Sequence, residues 1–262
     1  MKNIFIFLLL LFSIQTYSQI KVGGSAEGGY EDRLIRLKDD KGNDYASSFL
    51  REKEFAEIYI AANYKKFFLY TKIKTYFEYE KLYKYNPLQV EYTLGATYKF
   101  KWIELGYEHL CSHTIKFYFF EEAYDRFSVK SMLWEKTSSR IKTECSLELG
   151  YEDRLVRLWD GKSLTTFYRS YLLSKKGFAE IYLAASYKKI SIYTDVKTYF
   201  ECEKLYNYNP LQVEYYLGAT YKIKWIEIGW KHLCSHSLKY DAFHEAYDRI
   251  SVKFTLFSNI EK

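Results

Sequence analysis

The sequence predicts an all-β protein: a transmembrane antiparallel β-barrel of about 12 strands built from two tandem six-stranded units. Three observations predict it. Hydrophobicity alternates with period two over stretches long enough to cross a bilayer. Aromatic residues make up 20% of the chain, as Tyr 29, Phe 19 and Trp 5. Most of the chain is also written twice.

The chain opens with Met1-Lys2-Asn3, an apolar run from Ile4 to Phe12, and Thr16-Tyr17-Ser18 before Gln19. A basic start, a short apolar stretch and small residues before the cut read as a signal peptide over residues 1–18. The run is shorter than the roughly 20 residues a spanning helix needs, which disfavours an anchor. No lipobox cysteine follows it.

Composition excludes several classes. With 48% hydrophobic residues, Gly 12 and Pro 2, the chain is neither disordered nor collagenous. A mean hydropathy of −0.35 argues against a bundle of membrane helices. The net charge of +6 comes from 39 basic and 33 acidic residues that interleave, so no basic patch points to nucleic acid. Cys111, Cys145, Cys202 and Cys234 match no disulfide scaffold and no paired zinc motif.

Residues 75–99, TYFEYEKLYKYNPLQVEYTLGATYK, recur 123 positions later as TYFECEKLYNYNPLQVEYYLGATYK. GGYEDRLIRL recurs as LGYEDRLVRL, EHLCSH as KHLCSH, and EAYDRFSVK as EAYDRISVK. The expected organisation is therefore one barrel domain over 19–262, with unit one at 19–139 and unit two at 140–262.

Within a unit, Val90, Tyr92, Leu94, Ala96, Tyr98 and Phe100 alternate with Glu91, Thr93, Gly95, Thr97 and Lys99. The same alternation runs through Ala56–Ala62, Phe67–Phe77, Ile103–Tyr107 and Phe127–Leu133, opposite Glu57, Lys72, Lys74, Glu78, Glu104, Glu108, Arg126 and Lys130. Charges on the inner face with an apolar exterior mark a barrel that uses lipid where a soluble protein uses a core. A soluble lipocalin-like barrel or sandwich would share the alternation; strand length and the secretory start favour the membrane. Basic turns at 64–66, 99–101 and 136–140 would face the periplasm, and longer loops near 34–54, 80–89 and 112–123 the exterior. The expected location is the outer membrane of a Gram-negative bacterium. Its partners would be membrane lipids and the outer-membrane insertion machinery, with no nucleic acid. Tyr85-Asn86-Pro87-Leu88 and its copy at Tyr208 to Leu211 read as tight loops.

The outward face of the fifth strand continues past Tyr107 to His109, Cys111 and His113, and that of the sixth begins at Asp125. A hairpin centred near residue 117 sets Asp125 level with His109 on the lipid side. Polar residues there are costly and call for a reason. The second copy places His232, Cys234 and Asp248 likewise. A thiol two residues from an imidazole, with a carboxylate on the next strand to fix the tautomer, has the logic of a nucleophile, base and acid triad.

GYEHLCSHTIK followed by EAYDRFSVK resembles the catalytic hairpin of outer-membrane phospholipase A and, less closely, that of the lipid A 3-O-deacylase barrels. The resemblance implies His109 as the base, Cys111 in place of the nucleophilic serine, and Asp125 in place of the orienting Asn or Glu. His232, Cys234 and Asp248 would match in the same way. It covers about twenty residues per copy.

Two functions follow as alternatives. One is a lipid acyl-ester hydrolase acting on phospholipid or lipid A through Cys-His-Asp sites that face lipid. The other is a non-enzymatic barrel, a narrow pore, adhesin or structural protein, in which His109, Cys111 and His113 are rim residues at headgroup level. Ser112 and Ser235 read as lining the lumen. Metal capture by His109, Cys111 and His113 is awkward, because alternate side chains on a strand lie about 6.5 Å apart. Glu31, Asp32 and Arg33, with Glu152, Asp153 and Arg154, read as a solvated rim network, and calcium there is the alternative. No other cofactor is expected.

Overall fold

The computed structural model describes residues 20–38, 44–47, 52–79, 85–114, 120–138, 140–159, 167–170, 175–204, 207–238 and 243–258. The expected signal segment 1–18 and its junction at Gln19 lie outside the described residues.

All regular structure among the described residues is β. The strands are β1 (Ile20–Lys38), β2 (Asp44–Ser47), β3 (Lys53–Tyr64), β4 (Phe67–Tyr79), β5 (Tyr85–Phe100), β6 (Ile103–Thr114) and β7 (Phe120–Thr137). They continue as β8 (Ile141–Trp159), β9 (Phe167–Ser170), β10 (Lys176–Tyr187), β11 (Ile190–Lys204), β12 (Asn207–Ile223), β13 (Ile226–Ser237) and β14 (Phe243–Ser258). Neighbours in the wall pair antiparallel, β8 pairs with β10, and β14 returns to β1, so the sheet closes on itself. Of the 14 strands in this sheet, β2 and β9 pair only with the upper ends of β1 and β8. The closed wall therefore has twelve strands. Closure pairs both edges of every wall strand, the condition for a sheet to cross a bilayer.

Side chains sort by parity as the alternation predicts. Ile58, Leu69, Leu94, Leu105, Ile192 and Ile228 are exposed on the outside, while Glu31, Lys74, Glu152, Lys197 and Glu214 are buried inside. In water such an outer belt would lose roughly 25 cal/mol for each Å² of apolar surface left wet. A hydrocarbon surround removes that cost, so this is a membrane-spanning barrel of the outer-membrane type. The 19 residues of β1 and of β8 exceed the roughly 9–11 a strand needs to cross, and the surplus projects at the long-loop end.

At the other end the connections are tight. Lys65, Lys101, Lys188 and Lys224 open two-residue turns with φ of 52–56°. Inside the wall, small and large residues interlock: a Cβ on Gly95 would lie 2.1 Å from Tyr70 Cζ, and one on Gly218 2.2 Å from Tyr193 Cζ. These glycines let a tyrosine ring lie flat against the neighbouring strand.

Two readings change. Residues 85–88 belong to β5, and 208–211 to β12. Pro87 pairs with Phe77 beside a register shift between Tyr76 and Phe77, and Pro210 pairs with Phe200 beside one between Tyr199 and Phe200. A bulge is where a strand tolerates a residue without an N–H. Glu31, Arg33, Glu152 and Arg154 are not a solvated rim; they are between 1% and 7% exposed and point into the lumen.

Candidate functional site

On the outer wall, β6 and β7 place His109 directly opposite Asp125, and β13 and β14 place His232 opposite Asp248. Each histidine Nδ1 is 3.0 Å from its aspartate Oδ1, and in the first pair Tyr107 also donates to Asp125 Oδ1 at 2.7 Å. Trp230 stacks on His232 in the second. The level inferred for Asp125 is thus found. The row continues one strand further, since Asp125 also faces Asp153, and Asp248 faces Asp32.

Cys111 lies two residues along β6, opposite Ala123, and Cys234 opposite Ala246. Both are free thiols. Among the described residues neither thiol is hydrogen-bonded to its histidine. The histidine and aspartate of each triad therefore stand together, while the thiol shares their face without engaging the ring. Among the described residues no group of three His, Cys, Asp or Glu side chains could hold a metal ion. Ser112 and Ser235 face the lumen as read, buried and taking hydrogen bonds from Gln89 Nε2 (2.7 Å) and Gln212 Nε2.

The densest chemistry is inside. Arg33 on β1 donates through Nε to Glu245 (2.7 Å), through Nη2 to Glu122 (2.8 Å) and through Nη1 to Glu91 (3.2 Å). Arg154 on β8 donates through Nε to Glu122 (2.6 Å), through Nη2 to Glu245 (2.9 Å) and through Nη1 to Glu214 (3.0 Å). β1 and β8 stand on opposite sides of the wall. Each arginine binds one glutamate from the strand beside its own and reaches across the lumen to the other. Arg33, Glu122, Arg154 and Glu245 thus form a closed ring across the lumen, with the planar fork of each arginine shared among three carboxylates.

Further charge pairs flank the ring. Glu31 accepts from Lys74 (2.7 Å), Tyr76 (2.7 Å) and Arg249 (2.8 Å); Glu152 accepts from Lys197 (2.5 Å) and Tyr199 (2.8 Å). Nearer the short turns, Glu108 takes the hydroxyls of Tyr70 and Tyr124, and Arg126 bridges Glu148 and Glu180. The space left among the ring and its neighbours is about 240 Å³. Below it a vestibule of about 510 Å³ opens among Lys65, Lys66, Lys99, Glu104 and Lys130. The ring was missed in the sequence, although parity carried the signal: Glu31 and Arg33 fall on one face and Asp32 on the other.

No family model matches the chain, and no curated protein does. Solved structures with a similar strand arrangement include a KdgM porin in complex with disordered oligogalacturonate, at 9% identity, covering 89% of this chain and 99% of that one with a TM-score of 0.45. The translocator domain of the autotransporter NalP from Neisseria meningitidis aligns at 8% identity over 96% of this chain and 95% of that one, with a TM-score of 0.47. The β domain of the Bordetella autotransporter BrkA aligns at 9% identity over 90% and 100%, with a TM-score of 0.42.

Proposed function

We propose that the chain is a non-enzymatic outer-membrane barrel with a sealed lumen, acting through the surfaces it presents to lipid and to the exterior. The observation that carries this reading is the Arg33–Glu122–Arg154–Glu245 ring across the lumen. A charge network with its members this fully paired is stable only if kept intact, and water-filled transport would require breaking it. In this reading residues 1–18 are removed as a signal peptide, and the insertion machinery of a Gram-negative outer membrane folds residues 19–262. Each repeat unit, 19–139 and 140–262, supplies one arginine and one glutamate of the ring. Liposomes carrying the purified barrel should not swell in isotonic small sugars. Swelling at the rate of an open porin would overturn the reading.

The second reading, a lipid acyl-ester hydrolase, is favoured by the two His–Asp pairs at 3.0 Å that face lipid. Because Asp125 holds Nδ1 of His109, Nε2 is the nitrogen left to take the Cys111 proton. The thiolate would attack the ester carbonyl, His109 would protonate the leaving alcohol, and water would then cleave the thioester. His232, Cys234 and Asp248 would act alike.

A further inference from the structure

The two copies of the outer wall differ in the space they leave at the seam where each unit's first strand meets the strand before it. Where unit two carries Leu149, half-exposed to lipid, unit one carries Gly28. The glycine is not demanded by packing: a Cβ there would meet Phe55 O at 3.6 Å, an ordinary contact. This contrasts with Gly95, whose place a tyrosine ring occupies. Room for a side chain is therefore present at Gly28 and left empty by the protein. The result is a cleft of about 690 Å³ on the outer wall, lined by Gly28, Tyr30, Glu54, Phe77, Ile250 and Val252. That volume falls within the roughly 300–1,000 Å³ of ligand clefts.

The cleft is apolar along its length and acidic at its upper end. One outward step above the Tyr30–Ile250 pair, Asp32 faces Asp248, which holds His232 at 3.0 Å. Glu54 adds a third outward carboxylate, paired with Tyr30. The exposed belt around the cleft is covered by lipid chains, so the occupant is continuous with that covering. Its polar end must suit carboxylates rather than phosphate alone.

We propose that this seam binds one membrane lipid, with an acyl chain in the Gly28 cleft and an ammonium headgroup against Asp32 and Asp248. The pseudo-equivalent seam, filled by Leu149 and by Phe127 in place of Ile250, does not. The inference rests on the barrel lying in a bilayer, as proposed above, and not on catalysis. Should the hydrolase reading apply, only the His232 site has a bound chain beside it.

The full barrel, reconstituted in mixed phosphatidylethanolamine and phosphatidylglycerol vesicles, is labelled with a photoreactive diazirine on the acyl chain of either lipid in turn. Labelling by the phosphatidylethanolamine probe is expected to concentrate several-fold at Tyr30, Phe77 and Ile250 over Tyr151 and Phe127. Gly28→Leu should remove the excess, and Leu149→Gly should create one at Tyr151 and Phe127. Heat-modifiable mobility of each variant separates loss of the barrel from loss of the lipid. Even labelling around the belt, an excess that survives Gly28→Leu in a folded barrel, preference for phosphatidylglycerol, or chain-to-chain crosslinks from the cleft would each overturn the proposal.

Discussion

Arg33 and Glu245 stand 212 residues apart in sequence, yet their side chains meet at 2.7 Å inside the barrel, near the seam where the last strand closes on the first. The contact ties barrel closure to the ring across the lumen, because the same glutamate also binds Arg154 from the far wall. The first bond needs β14 paired with β1, and the second needs β8 facing them across the lumen.

Removing one member of this ring should therefore cost far more than removing a residue of the outer pairs. Glu122→Ala leaves Arg33 and Arg154 each short of a buried carboxylate and should destabilise the barrel by about 3–5 kcal/mol. Asp125→Ala, at a half-exposed pair, should cost about 1 kcal/mol or less. Urea unfolding in lipid vesicles measures both, and equal losses would contradict the assignment.

The repeat contains an internal charge swap. Lys72 and Glu108 in unit one correspond to Asp195 and Lys231 in unit two, and Tyr70 and Tyr124 correspond to Tyr193 and Tyr247. Parity places both pairs on the lumen face, on strands separated by one other. Glu108→Lys alone should destabilise, because it sets two cations together and orphans two tyrosine hydroxyls. Adding Lys72→Asp should recover much of the loss, with a coupling of about 0.5–3 kcal/mol in a double-mutant cycle. Additive effects would show that the two positions do not sense each other.

The left-handed lysines of the short turns carry a strain that glycine lacks. Lys65→Gly and Lys188→Gly, at φ of 56° and 53°, should each raise stability by about 1 kcal/mol. A loss instead would mean that the lysine heads over the Tyr64 and Tyr187 rings outweigh the backbone strain.

Cys111 and Cys234 lie on strands six places apart around the wall, too far for a disulfide within one barrel. Both should alkylate independently, and oxidation should yield no intramolecular link. With dispersed phospholipid or lipid A and calcium present, the folded barrel should release no fatty acid. Release that disappears in the Cys111→Ala, Cys234→Ala double variant would instead establish the hydrolase.

Much of this architecture was legible in the sequence, since period two assigns faces and the repeat counts strands. The alternation at Ile103–Tyr107 and its continuation to His109 gave the outward pair with Asp125 and its level. The bulges at Pro87 and Pro210 were not legible, because a proline reads as a turn until its neighbours are known to supply the extra residue. The ring escaped for a related reason: Glu31 and Arg33 sit where the first strand is expected to meet a loop and read as a solvated rim, and only a strand running on to Lys38 keeps them facing inward. Their partners Glu122 and Glu245 lie far away in sequence, so pairing across the lumen depends on a closure that no local pattern encodes. The cleft at Gly28 was visible as a single difference between copies, GGYEDR against LGYEDR, but its emptiness needed the structure.

The proposed seal across the lumen is tested by single-channel recording in planar bilayers of wild type beside the Arg33→Ala, Arg154→Ala double variant. The wild type should be silent, and the variant should show stable ion-conducting steps once the ring is gone from a folded barrel. Steady, porin-sized conductance from the wild type would contradict it.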